Sequence, residues 1–151
     1  GETLQVAREF ASQLQRGDIV ALYGDLGAGK THFVKGVCEA LGVQSAVTSP
    51  TFVLLNRYQG GDSRGEELLL YHLDLYRIKS VEEIYDIGFE EFLYGNGICL
   101  IEWAELLGEL LPPARFDVRI STGGEEHRRH IEIEHVGSQL PHRRTIKVRS
   151  S

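Results

Sequence analysis

Methionine is absent from this chain, and cysteine, proline and tryptophan are scarce, at two, four and one of 151 residues. With no Met and with Gly1 leading, the sequence predicts a native start that has been trimmed or processed. Two cysteines make no disulfide framework in a chain of this length, which points to a reducing compartment. Cys38 and Cys99 lie in apolar surroundings and read as core residues. No apolar run approaches the length of about 18 residues that a membrane span needs. The N-terminus lacks a charged-then-apolar signal pattern. The expectation is a cytoplasmic protein that does not engage a membrane. "HRRH" at 127–130 is no zinc pattern, and two distant cysteines are no thiolate site.

What is present is ordinary in bulk: 42% apolar and 25% charged residues, as in a soluble globular protein. The length suits a single domain over 1–151 with a substantial core. Charge is distributed unevenly. Residues 1–112 carry 8 Lys and Arg against 17 Asp and Glu, whereas residues 113–151 carry 8 against 5. The basic end, with "PHRRTIKVR" at 141–149, is favoured as a solvated face and a flexible tail from about 138 onward. A contact with nucleic acid or an acidic partner is the alternative.

Periodicity gives the elements. Leu4, Val6, Ala7, Phe10, Ala11 and Leu14 recur at helical spacing, with Gly17 as the expected stop. "DIVALY" (18–23) is a short continuous apolar run, which suits a strand covered on both faces. Residues 30–41 read as a helix closed by Gly42. "TFVLLNRY" (51–58) and "ELLLYHLDLY" (67–76) read as strands around a turn-rich "QGGDSRGE". Ser80 and Glu83 have capping-box spacing. "GICLIEW" (97–103) is a further strand, and "AELLGELL" a short helix stopped by Pro112 and Pro113. "FDVRIST" and "RHIEIEHV" alternate as two strands around Gly123–Gly124, with a last strand expected at Thr145 to Val148. Early βα alternation followed by a β-rich end predicts an α/β fold with a mixed sheet.

The chemistry sits in "GDLGAGKT". Gly24, Asp25, Leu26, Gly27, Ala28, Gly29, Lys30 and Thr31 fit G-x-x-x-x-G-K-[ST]. Glycines let the backbone close around phosphate oxygens with no side chain in the way. Successive N–H groups of residues 25–32, ending at His32, then point inward, and the following helix brings its positive end to the same place. Lys30 is expected to reach the terminal phosphates and Thr31 to offer its hydroxyl to Mg²⁺. The motif follows an expected strand and opens an expected helix, as this mechanism requires.

Such a loop needs an acid for its metal. Asp74 and Glu102 each end an apolar strand, where ligands bind in parallel sheets. Asp74 shares one strand face with His72 and Tyr76, while Leu73 and Leu75 take the other. Asp74 is favoured as a direct or water-mediated Mg²⁺ ligand and Glu102 as the acid that positions water or metal; the roles are exchangeable. In "VTSPTF" (47–52), Thr51 either turns its hydroxyl to the γ-phosphate or metal, or belongs to a strand-initiating turn without a ligand. Spacing leaves both open. Trp103, by sequence alone, is as well explained by packing.

"GDLGAGKT", "VTSPTF", "YHLDLYR" and "IEWAE", in this order, resemble the TsaE family, once called YjeE. The likeness runs from the first helix through "LLPPARFDV". It implies a P-loop NTPase-like three-layer sandwich, a mixed sheet with helices on both faces. It implies an ATPase using ATP and Mg²⁺ that works with TsaD and TsaB in placing threonylcarbamoyl on an adenosine of tRNA, so that tRNA is met indirectly. It also makes Thr51 an expected active-site residue, supports Asp74 and Glu102 at the metal, and marks Trp103 as functionally important. Two positions depart from the pattern: His32 where the family usually has Thr or Ser, and Ile87–Gly88 where Leu-Gly is commoner. Beyond about residue 123 the signature is weak. No arginine finger is obvious; Arg77 is a candidate in cis, with a surface ion pair as the plainer account. Hydrolysis is therefore expected to be slow alone and stimulated by partners. No N-K-x-D pattern is present, which favours adenine over guanine. A small-molecule P-loop kinase, with Arg128 and Arg129 as candidate lid residues, and a nucleotide-dependent binding module with incidental hydrolysis are the alternatives.

Overall fold

The computed structural model describes residues 2–24, 29–48, 55–76, 78–86, 88–122, 128–137 and 142–149, with backbone alone for 81, 128 and 142–149. The chain runs α1 (Glu2–Ala11), β1 (Ile19–Tyr23), α2 (Lys30–Ala40), β2 (Leu55–Gly61), β3 (Glu67–Asp74), α3 (Val81–Asp86), α4 (Phe89–Leu93), β4 (Ile98–Glu102), β5 (Arg115–Thr122), β6 (Arg128–Val136) and β7 (His142–Arg149). Seven strands form one sheet in the order β2-β3-β4-β1-β5-β6-β7. The inner four, β3-β4-β1-β5, are parallel, and antiparallel partners extend both sides. The mixed sheet carries helices on both faces, as expected.

Alternation along the inner strands assigns residues to layers. Val20, Leu22, Leu70, Leu100, Phe116 and Val118 face α1 and α2, whose Phe10 and Phe33 complete that core. Ile19, Ala21, Leu73, Cys99 and Ile101 face the other way, onto Ile84, Phe89, Phe92 and Leu93 of α3 and α4. Strands apolar on both faces read as continuous runs, which is why "IVALY" and "ICLI" lack a polar alternation. Each large side chain so buried contributes about 1.5–3 kcal/mol. Phe10 meets Phe116 edge-on at 5.1 Å and Phe33 at 5.7 Å between ring centroids, locking α1 to α2 and the sheet.

Four local expectations change. Helix α1 ends at Ala11, six residues before Gly17, and the segment between turns back to the sheet: Asp18 accepts from the Gln15 N–H at 2.7 Å, and Gly17 donates to Gly97 O at 3.1 Å. "AELLGELL" forms two 3-10 turns, Ala104–Leu106 and Gly108–Leu110, because Gly108 adopts φ 52 and interrupts any continuous helix. The basic end, favoured as a flexible tail, instead contains β7, which pairs with β6 from His142 to Arg149 and so exceeds the strand expected at 145–148. Glu83 reaches back before α3, but to the Lys79 N–H at 3.1 Å rather than to Ser80. Gly123–Gly124 lies outside the described residues. Among the described residues, no helix is long and apolar enough to cross a membrane.

Gly36 permits the close approach of α1 to α2: a Cβ there would lie 2.6 Å from Ala7 Cβ and 3.1 Å from Leu4 O. Overpacking such a contact costs about 1–3 kcal/mol. Gly36→Val is therefore expected to lower the free energy of urea unfolding by that amount with an unchanged m-value.

Candidate functional site at the carboxyl edge of the parallel strands

The parallel strands all end at one edge of the sheet, and the turn that leads into α2 starts there from β1. Asp74 and Glu102 are the last residues of β3 and β4 and lie side by side in the register. Leu22 of β1 is the other neighbour of Glu102. Since 70, 72 and 74 on β3 and 98, 100 and 102 on β4 share one face, His72, Asp74 and Glu102 all point toward the α2 layer. Apolar residues occupy that face up to His72; at the edge it becomes acidic.

Gly29 precedes α2 with φ 104, a conformation open to glycine and strained for any other residue. Lys30, at 4% exposure, is buried for a lysine. Its ammonium donates to Gly24 O and stands 3.5 Å from the centre of the Trp103 ring. This cation–π contact and the carbonyl offset part of the cost of desolvating the charge. The Thr31 hydroxyl donates to the Glu102 carboxylate, at 2.9 Å from one oxygen and 3.0 Å from the other. His72 Nε2 stands 2.5 Å from the same carboxylate. Glu102 is 3% exposed and His72 fully buried, so the acid is held from two sides in a low-dielectric setting.

Asp74 is half-buried, and one of its oxygens accepts the Tyr76 N–H at 3.0 Å. Burial, together with the negative charge of Glu102, raises its carboxyl above the ordinary range; the Tyr76 N–H, His72 and Lys30 oppose the shift. Trp103 has φ 59, the one positive φ outside glycine among the described residues. That strained turn at the end of β4 lets Glu102 face Thr31 while the next residue presents its ring to Lys30. The Tyr76 ring meets Trp103 at a tilt of 36°, 5.0 Å between centroids. His32, half-buried on the first turn of α2, has its imidazole held below the usual range by burial and by the positive charges of Lys35 and Arg129.

The structure thus brings together Lys30, Thr31, Asp74, Glu102 and Trp103. Asp25, Leu26, Gly27, Ala28, Thr51 and Arg77 lie outside the described residues. Sequence reasoning placed His72 on the right face of its strand but gave it no role; its partner is 30 positions away, and only the pairing of β3 with β4 joins them. Among the described residues, no three His, Cys, Asp or Glu side chains converge into a metal site. The donor set, a hydroxyl and carboxylates, is nonetheless of the hard-oxygen kind that Mg²⁺ takes when phosphate and water supply the other ligands.

A strand leading through glycines to a buried Lys and a Thr, with an acid from the neighbouring parallel strand on the Thr hydroxyl, defines a P-loop-type α/β protein. The family model for the threonylcarbamoyl adenosine biosynthesis protein TsaE matches residues 1–131, and the chain belongs to that family. It is 42% identical over 138 residues to the tRNA threonylcarbamoyladenosine biosynthesis protein TsaE of Bacillus subtilis (strain 168), covering 91% of this chain and 82% of that protein. It is 50% identical over 99 residues to the protein of the same name from Treponema pallidum (strain Nichols), covering 66% and 69%. The crystal structure of Bacillus subtilis YdiB superposes with a TM-score of 0.72 at 38% identity, over 90% of this chain and 80% of that one.

The Asp74 environment has a consequence for stability. A carboxyl whose pKa is raised by folding stabilises the folded state below the ordinary carboxylate value of about 4, and that contribution is lost as pH rises through the raised value. At pH 7 ionised Asp74 therefore works against folding. In magnesium-free buffer, Asp74→Asn is expected to melt at a higher temperature than the parent at pH 7, with the difference shrinking toward pH 4. An unchanged or lower melting temperature at pH 7 would show that the carboxylate is not strained.

Proposed function

We propose that this protein is a P-loop ATPase which binds ATP with Mg²⁺ at the Gly24–His32 turn and hydrolyses it in support of threonylcarbamoyl modification of tRNA adenosine. The observation that carries the reading is the Thr31 hydroxyl on the Glu102 carboxylate beside buried Lys30. In P-loop proteins the Thr hydroxyl and an acid from a neighbouring strand are the groups that face the metal, and the Lys faces the terminal phosphates. Glu102, in contact with Thr31, is the acid nearer the metal position, and Asp74 is the second; this exchanges the roles favoured from sequence. When bound, Mg²⁺ would neutralise charge on the β- and γ-phosphates.

The protein's own residues supply positioning. Backbone N–H groups of residues 25–32 would cradle the phosphates. Lys30 would leave Gly24 O and the Trp103 ring for the γ-phosphate, a short movement of a long side chain. His72 keeps the Glu102 carboxylate turned toward Thr31. The carboxylates, with Thr51 as a candidate, would orient the attacking water. Phosphoryl transfer needs little covalent help from the protein, so these placements account for most of the catalysis. TsaD and TsaB are the partners this reading requires, with tRNA met through them in the cytoplasm. Slow hydrolysis by the isolated chain is part of the reading.

The test follows the γ-phosphate. With γ-labelled ATP, label is expected in inorganic phosphate alone; label in an organic product would mean a kinase. Lys30→Ala and Glu102→Gln are each expected to slow release about a hundredfold or more, the usual effect of removing a preorganised electrostatic group. Normal turnover by Glu102→Gln would make the acid structural.

A further inference from the structure

The proposed hydrolysis leaves one cation at the site without a role. Arg129 comes from β6, almost 100 positions after the glycine turn. Strand β6 runs antiparallel to β5, so its first residues lie at the carboxyl edge of the parallel strands, with Arg129 opposite Thr122. Ile131 and Ile133 share its strand face and are buried under α1 and α2. Arg129 continues that face past the core, to the N-terminus of α2. There its guanidinium lies against Gly29: a Cβ built on Gly29 would be 2.1 Å from Nη1 and 3.4 Å from Cζ of Arg129. The same charge reaches His32, where it adds to burial and Lys35 in lowering the imidazole's pKa.

Two positive elements therefore meet at Gly29, the end of α2 and the Arg129 guanidinium, with Lys30 the next residue of the helix. Their mutual repulsion falls, and their attraction adds, when a polyanion lies among them. A guanidinium is always charged, and its planar fork matches two phosphate oxygens at once. We infer that Arg129 is a phosphate-binding residue in cis, through which the C-terminal hairpin clasps the nucleoside polyphosphate on the glycine turn. This rests on the ATP-binding reading above and extends it. It assigns the guanidinium to ground-state binding rather than to an arginine finger. Strand β6 thereby gains a functional role, since it carries the arginine to the site.

The test measures KM for MgATP in phosphate release, Kd for MgADP by calorimetry, and the melting temperature of the nucleotide-free protein, for the parent chain, Arg129→Ala and Arg129→Lys. A charge-assisted hydrogen bond supports an expected rise of about tenfold to a hundredfold in both KM and Kd for Arg129→Ala. Its kcat should stay close to that of the parent. Arg129→Lys, which keeps the charge but loses the fork, should fall between them. A merely structural arginine would lower the nucleotide-free melting temperature and leave the two nucleotide constants alone. Parent-like KM and Kd for Arg129→Ala, or a fall in kcat with KM unchanged, would overturn the inference while leaving the ATPase intact. Failure of the parent chain to bind or hydrolyse nucleotide would overturn the ATPase reading and this inference together.

Discussion

A buried carboxylate governs the architecture of this edge. Glu102 ends a strand whose other described side chains are apolar, and an ionised acid there costs several kcal/mol unless it is paired and hydrogen-bonded. Thr31 supplies one partner from α2 and His72 the other from β3. Three elements, far apart in the chain, are thereby held in one register. If α2 slid by a residue, Thr31 would leave the carboxylate. If β3 slipped by one, His72 would turn to the opposite face. The same contacts that satisfy Glu102 thus hold Thr31 and the start of α2 against the ends of β3 and β4.

The surrounding layers make that placement rigid. Apolar residues on both faces of β1 and β4 pin the two strands between helical layers. Among the described residues outside glycine, Trp103 alone has a strained positive φ, and it sits beside Lys30. Strain of this kind persists where surrounding packing over-determines it. Here it places an aromatic face under a lysine that would otherwise be desolvated without sufficient partners.

Much of this was legible in the sequence where the signal was local. The glycine–lysine–threonine spacing, the continuous apolar runs of β1 and β4, and the alternation of β5 and β6 each express a short-range rule. The acids at the ends of "LLLYHLD" and "ICLIE" could be named because strand ends are visible as a change from apolar to charged. Strand order was not legible: nothing in residues 67–102 says that β3 and β4 pair in parallel, so the His72–Glu102 contact stayed hidden. Arg129 was equally hidden from Gly29, because only the turn of β5 into β6 brings it back to the edge. Trp103 in a left-handed turn contradicts its local preference, and such violations gather at functional sites. The shortened α1 reflects a tertiary choice, the bond of Gly17 to Gly97, over a helical pattern that ran on to Leu14.

Membership of the TsaE family places the chain in threonylcarbamoyl adenosine biosynthesis, and the proposed nucleotide would enter that process at this edge. The glycine turn and the cations around it would contribute the binding energy, while the paired acids would set its dependence on metal. Calorimetric titration of the folded protein with ATP, in magnesium and again in excess EDTA, tests this most directly. One nucleotide per chain bound in magnesium, with marked weakening in EDTA, is the predicted outcome. No association in either buffer, by protein shown to be folded, would contradict it.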